Sequence, residues 1–369
     1  LLLAATWPFL LNAHLPDPTF LAFTGSYMSN RRQFLIRGAA VTVSSMAPMA
    51  FAKPATLTHK ERVDRALEGK ELDRPPFTFY HHYKRPTPQL EAQDHLEFHR
   101  AYNTDIVKVM NDFDYPKSTS GKWYDLKPLD SPYPDQLKTL ELIRNGLNGD
   151  AYFIDTLYGP YMTAMLLLAV EPEFANQGKS EETPDAVIRS LGNFQKEHAA
   201  EWEAALEAIT QSTINHIHHA KQLGTSGALV SIFNAESKFG SVADYERCSR
   251  PYDKRVLDAL ADTKLTFLHL HYLERPFLDQ FKDFNAPVVQ YSEKVSGIPI
   301  SDVRKLYPQT IAGGVDEIDF DKLTTGEIRA QWIAARQQAG SKYIITPGCS
   351  VPDASTPEQL ARFPQAIVG

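Results

Sequence analysis

From Leu57 onward two hydrophobic rhythms alternate along the chain. Apolar residues three and four apart mark helices, whereas short unbroken apolar runs mark strands buried on both faces. Thr58-His59-Lys60-Glu61 followed by Val63, Ala66 and Leu67 predicts a capped amphipathic helix closed by Gly69. Strands are expected at 77–80, ending at His81-His82, and at 106–110, ending at Asn111-Asp112. A third at 152–154 runs towards Asp155, Thr156 and Tyr158, and a fourth at 228–233 ends at Asn234. Then come 265–268 before His269-Leu270-His271, and 287–291 before Ser292-Glu293. The last two are 310–312 before Gly313-Gly314-Val315-Asp316, and 343–345 before Thr346-Pro347-Gly348-Cys349. Helices are expected between them, at 184–223 with Gly224 as its stop, at 244–260 and at 327–340.

Eight strands separated by helices predict an α/β fold, a single closed (β/α)8 TIM barrel. An open doubly wound sheet is the alternative, but the chain has no G-x-G-x-x-G phosphate loop. In such barrels the loops after the strands build the active site. The expected open end therefore gathers His81, Asp112, Tyr158, Asn234, His269, His271, Glu293, Asp316 and Cys349.

The first fifty residues read differently. Arg31 and Arg32 before Phe34 and Leu35, an apolar run from Gly38 to Ala47, and Ala50-Phe51-Ala52 resemble a twin-arginine export signal with a cleavage site. Met28 is the expected start, and the stretch upstream, broken by Pro16 and Pro18, an extension of the gene boundary. Residues 1–52 are accordingly set apart from the barrel domain at 53–369. The mature protein is expected to be periplasmic or otherwise exported, without a stable membrane anchor after cleavage. The twin-arginine route carries folded proteins, so a metal or cofactor could be loaded before export.

Composition narrows the classes. With 369 residues and 43% hydrophobic content the chain can bury a large core. A net charge of −7 argues against nucleic acid as a partner. The two cysteines, Cys248 and Cys349, exclude a disulfide framework. Cys248 reads as a small buried filler within a helix, and His216, His218 and His219 as a solvated helix face.

Several stretches resemble the uroporphyrinogen decarboxylase superfamily. They are 61–70 with Asp73-Arg74-Pro75-Pro76, then Asp105-Ile106-Val107-Lys108-Val109, Tyr252-Asp253-Lys254-Arg255-Val256 and Ala312-Gly313-Gly314-Val315-Asp316. The strongest is Pro347-Gly348-Cys349-Ser350-Val351-Pro352 with Thr356-Pro357-Glu358-Gln359-Leu360. The resemblance implies a TIM barrel and either of two activities, cofactor-free decarboxylation of tetrapyrroles or zinc-dependent methyl transfer with corrinoid or folate carriers. For the decarboxylases it points to Asp112, with Tyr158 or Tyr161 in place of a displaced tyrosine. Their arginine grip is replaced here by His81-His82-Tyr83-Lys84-Arg85, which, like export, argues against true uroporphyrinogen decarboxylation. For the methyltransferases it points to His269-x-His271, where the family has His-x-Cys, and to Cys349. Glu293 matches a glutamate of the methionine-synthase group.

Zinc takes imidazole, thiolate and carboxylate ligands in four-coordinate geometry. Residues i and i+2 of a strand face one way, so His269 and His271 can converge. Neighbouring strand ends lie about 5 Å apart, which brings Glu293 within reach. Bound to zinc, a thiol loses its proton and becomes a nucleophile; an imidazole in place of one thiolate shifts the site towards water or carboxylate. The expected catalytic residues are Asp112, Tyr158 and His81, and the expected metal ligands His269, His271, Glu293 and Cys349. Three functions follow in order: a zinc-dependent methyltransferase-like enzyme, a carboxy-lyase, and a non-enzymatic binder of corrinoid, tetrapyrrole or metal. The expected partners are a small-molecule substrate, a corrinoid protein as methyl carrier, and a second copy of the chain.

Overall fold

Strands β1 (Ile106–Lys108), β2 (Tyr152–Tyr158), β3 (Ala228–Ile232), β4 (Phe267–Leu270), β5 (Val288–Tyr291), β6 (Thr310–Val315) and β7 (Tyr343–Pro347) form one sheet in chain order. Every neighbouring pair is parallel, so each connection must return along the outside of the sheet, and helices make these returns. The computed structural model describes residues 56–172, 174, 185–271 and 273–369. The twin-arginine segment and the boundary expected at residue 52 lie outside the described residues. Among the described residues no helix is long and apolar enough to cross a membrane.

The run expected as a first strand, 77–80, makes a single parallel bridge, from Phe77 to Ile345 of β7. On its other side the Asp105 N–H donates to Phe77 O at 2.9 Å, and Thr78 Oγ1 donates to Ile106 O at 2.9 Å. The segment thus touches the first and last strands and completes the (β/α)8 TIM barrel. It does not form a ladder for a local reason. Pro75 and Pro76 have no N–H, and the Phe77 N–H is taken by Asp105 Oδ2 at 2.9 Å.

Alternation along the strands sorts the side chains into two shells. Ile106, Ile154, Leu229, Phe267, Val288 and Ile344 pack together inside the barrel. Val230, Leu268, Val289, Tyr291, Ile311 and Ile345 belong to the larger core under the helices. Two residues further along the inward face stand Lys108, Thr156, Ser231, His269, Gln290 and Thr346, all buried. The barrel floor is therefore apolar and the layer above it polar.

The helices depart from expectation in two places. Helix His59–Glu68 has the expected capping box between Thr58 and Glu61, and Gly69 ends it at φ 73°. The stretch 184–223 is instead two helices, Asp185–Glu197 and Ala199–Gln222, parted at His198. The stretch 244–260 is also two, Val242–Cys248 and Arg250–Asp258, because Pro251 requires a new N-terminus. Cys248 consequently ends a helix half-exposed, with Arg247 Nε donating to its sulfur, and is not a buried filler. Both cysteines are free.

His216 is the clearest correction. Of its cluster only His218 is exposed; His219 is half-buried and His216 completely buried. It shares its helical face with Ile209, Thr213 and Ala220, which pack inward. Its Nε2 lies 2.8 Å from Asp155 Oδ2 and its Nδ1 2.8 Å from Ser131 Oγ, while Gln136 Nε2 donates to Asp155 Oδ1 at 2.7 Å. A buried carboxylate on the outer face of β2 is what draws the imidazole in.

Candidate functional site

His269 points into the barrel from β4, and His271 follows just past the strand end on the same face. His269 Nε2 and His271 Nδ1 are 3.2 Å apart, and Cys349 Sγ lies 3.3 Å from His271 Nδ1. One ligand atom from each of the three residues lies within 4.8 Å of the others. Tetrahedral zinc bonds of about 2.0–2.3 Å would place such atoms roughly 3.3–3.6 Å apart. The trio therefore fits a divalent ion with little rearrangement. Cys349 reaches it from two residues past β7, across a turn that requires glycine. A Cβ on Gly348 would meet the Glu317 carboxylate at 2.5 Å.

The electrostatics suit metal ligation. Burial drives the His269 pKa far below the usual imidazole value, and burial followed by His82 and Lys108 lowers that of His271 to about 3. Both are neutral donors at any physiological pH, and a side-chain bond to Gln290 only partly offsets the shift of His269. Burial, then the charge of Glu317, pushes the Cys349 thiol up to about 11. A thiol held that high gives up its proton when a cation replaces it.

Glu293 stands apart from this trio. It opens the helix Glu293–Ser296, its carboxyl accepts from the Ile300 backbone, and it acts on Tyr291 and Tyr343. Parity explains the difference: Val289 and Tyr291 face the outer shell, and Glu293 continues that side. The carboxylate that does act on Cys349 is Glu317, 2% exposed, with both oxygens lacking a partner of ordinary geometry. Ser292 and the Gly348 backbone still weakly favour its charged form, against a net upward shift caused by burial.

The trio opens onto a cavity of about 190 Å³ whose other walls include Lys108, His82, Tyr80, Tyr158 and Ser231. Tyr158 and Leu166 also line a neighbouring cleft of about 760 Å³ that reaches Asp112, Tyr115 and Tyr133. The Tyr158 hydroxyl donates to Asn111 O at 3.0 Å. Asp112 bonds the His82 ring and accepts from the Tyr83 and Lys84 N–H groups at 3.0 and 2.9 Å. Burial alone would raise its pKa, but the His82 bond and charge outweigh that and hold it near 2. His81 is not among the cavity walls. Its ring packs on Tyr83 and Phe98, and His82 occupies the inward place.

Two other strand-end residues serve the scaffold. Asn234 donates to Ser249 Oγ at 2.7 Å. Asp316 accepts from the Ile318 and Asp319 N–H groups and pairs with Lys294 at 3.0 Å. A second trio, His59, His99 and Asp150, lies at the opposite end of the barrel, where β1 and β2 begin. Reasoning from sequence gave Lys108 and Glu317 no site role, and of the strand-end pair His81-His82 it took His81. Lys108 had a signal, since a charged residue two positions from Ile106 and Met110 must share their buried face.

The overall arrangement is shared with solved structures. A methyltransferase from Methanosarcina mazei superposes with a TM-score of 0.64 at 16% identity, covering 84% of this chain and 98% of its own. A putative vitamin-B12-independent methionine synthase from Listeria monocytogenes gives 0.47 at 9% identity, covering 76% and 84%. One from Shewanella sp. W3-18-1, in complex with selenomethionine, gives 0.48 at 11%, covering 79% and 92%. No curated protein matches the sequence. The uroporphyrinogen decarboxylase (URO-D) family profile matches residues 112–368, from the Asp112 that anchors the mouth to the last helix. With most of its barrel inside that match, and Cys349 among the matched residues, the chain belongs to the URO-D family.

Proposed function

We propose that the protein is a metal-dependent transferase of the methyl-transferring type, with His269, His271 and Cys349 holding a zinc ion. The observation that carries this is the meeting of two neutral imidazoles and one thiol at ligand spacing on the wall of an inward cavity. A divalent ion there would supply a Lewis acid that binds a thiol substrate in its thiolate form. His269 and Cys349 are buried at 2% and 5% exposure, so ligand exchange is directed into the cavity and away from bulk water. Tyr158, on the wall common to cavity and cleft, stands between a thiol acceptor in the cavity and a methyl carrier in the cleft. A methyl carrier such as a corrinoid would approach through the larger cleft.

The decarboxylase reading is disfavoured by the mouth. Asp112 has its oxygens engaged by His82, Tyr83 and Lys84, and among the described residues none that lines either volume is an arginine. The M. mazei neighbour described as a methyltransferase agrees with the transferase reading. The test is to load purified protein with one equivalent of zinc and follow demethylation of methylcobalamin by a small thiol. Zinc-dependent turnover, abolished in Cys349→Ala, is expected. Turnover that is equal without metal would overturn the reading.

A further inference from the structure

Lys108 ends β1 on the inward face, 5% exposed, in the polar layer above the barrel floor. Its Nζ contacts Met110 Sδ and sits over the Tyr80 ring, 3.9 Å from the centroid. Neither partner carries a negative charge. A buried ammonium normally has a carboxylate or several carbonyls around it, because leaving water without compensation is costly.

Among the described residues no free counter-charge of this kind is found. The anionic groups that act on Lys108 are Cys349, Asp112 and Asp155, in that order. Asp112 is committed to the His82–Lys84 loop, and Asp155 to His216 and Gln136. The Cys349 thiol is neutral when free, and its thiolate charge is cancelled when a divalent ion is bound. Burial lowers the Lys108 pKa to about 7, so an anion bound beside it would draw the amine to its charged form.

We propose that Lys108 receives an anionic group of the substrate, a carboxylate or its equivalent, within the same small cavity that holds the His269–His271–Cys349 trio. This rests on the reading of that cavity as the substrate site. It makes the acceptor a short bifunctional molecule, with a ligating end towards the trio and an anionic end towards β1. A cavity of about 190 Å³ holds roughly six water-sized groups at about 30 Å³ each, which is the size of a three-carbon mercapto acid.

The test compares 3-mercaptopropionate with 1-propanethiol on cobalt(II)-loaded protein, read by the thiolate-to-cobalt absorption band. Mercaptopropionate should bind at least tenfold more tightly. Lys108→Met should erase that preference and leave cobalt stoichiometry and propanethiol affinity unchanged. Equal binding of the two thiols by wild type, which needs no variant, overturns the proposal, as does a preference that survives in Lys108→Met. Calorimetric titration of propionate into metal-free protein separates this from the metal reading. Binding by wild type and not by Lys108→Met supports the anion subsite even if cobalt is not retained. No propionate binding by wild type overturns it even if cobalt is.

Discussion

His271 Nδ1 and Cys349 Sγ lie 3.3 Å apart although 78 residues separate them in sequence. Closure of the barrel brings the ends of β4 and β7 to one mouth, and the Gly348 turn aims the sulfur inward. The pair makes the site testable by single substitutions.

Cys349→Ala is expected to weaken zinc retention by at least a hundredfold, since it removes the only anionic ligand of the trio. The side chain is small, so the cost in stability should stay below about 2 kcal/mol. Zinc content after dialysis against a chelator, beside a denaturant midpoint, checks both. Stoichiometric zinc in the variant would remove Cys349 from the ligand set.

Metal affinity should rise with pH. His271, lowered to about 3, is already neutral, so only the thiol at about 11 competes for the cation. Binding then releases one proton, and apparent affinity should climb about tenfold per pH unit between pH 6 and 9. A chelator competition series measures the slope. A flat profile would mean that the thiol is not a ligand.

His216→Ala is expected to leave metal content unchanged and to destabilise the fold. Asp155 would keep Gln136 and lose the imidazole while remaining buried, which costs about 3–5 kcal/mol. Urea denaturation compared with metal stoichiometry separates the two effects.

Asp105→Asn should destabilise by a comparable amount, about 3–5 kcal/mol. Its carboxylate is 0% exposed and bonds Arg62, Arg74, His59 and the Phe77 N–H. Burial would raise its pKa, but the His59 and Arg74 bonds prevail and the net shift is downward. A depressed carboxylate gives its full stabilisation above its unfolded value of about 3.9, and loses it as pH falls through the folded one. The difference between wild type and variant, measured by denaturation across pH 2 to 7, should therefore narrow towards the acid end.

The sequence made the barrel legible because buried parallel strands are short, mainly apolar runs, and β1, β3 and β5 stand out from the polar helices between them even with Lys108, Ser231 and Gln290 set in them. Segment 77–80 was legible as a strand in place but not in bonding, since whether a run ladders depends on where its N–H groups go. The His269–His271–Cys349 trio was readable from the i, i+2 spacing and the resemblance. Glu293 was taken and Glu317 overlooked, because both follow strands and only parity and turn geometry separate outward from inward. His216 shows the same limit on a helix. Its burial depends on Asp155, a partner 61 residues away on another element.

The closing segment has a mechanical consequence. Its junction with β7 and β1 rests on few backbone bonds, among them Thr78 N to Ile345 O, Ile345 N to Pro76 O and Asp105 N to Phe77 O. What the ladder lacks is supplied by one carboxylate at each end, Asp105 below with two arginines and Asp112 above with the 82–84 loop. The ring thus has a seam riveted by charge, where the other strands are sewn by amides. In acid the rivets loosen before the stitching does. Unzipping should begin there, and the amides of Thr78, Asp105 and Ile345 should exchange with solvent sooner than those of β3 to β5.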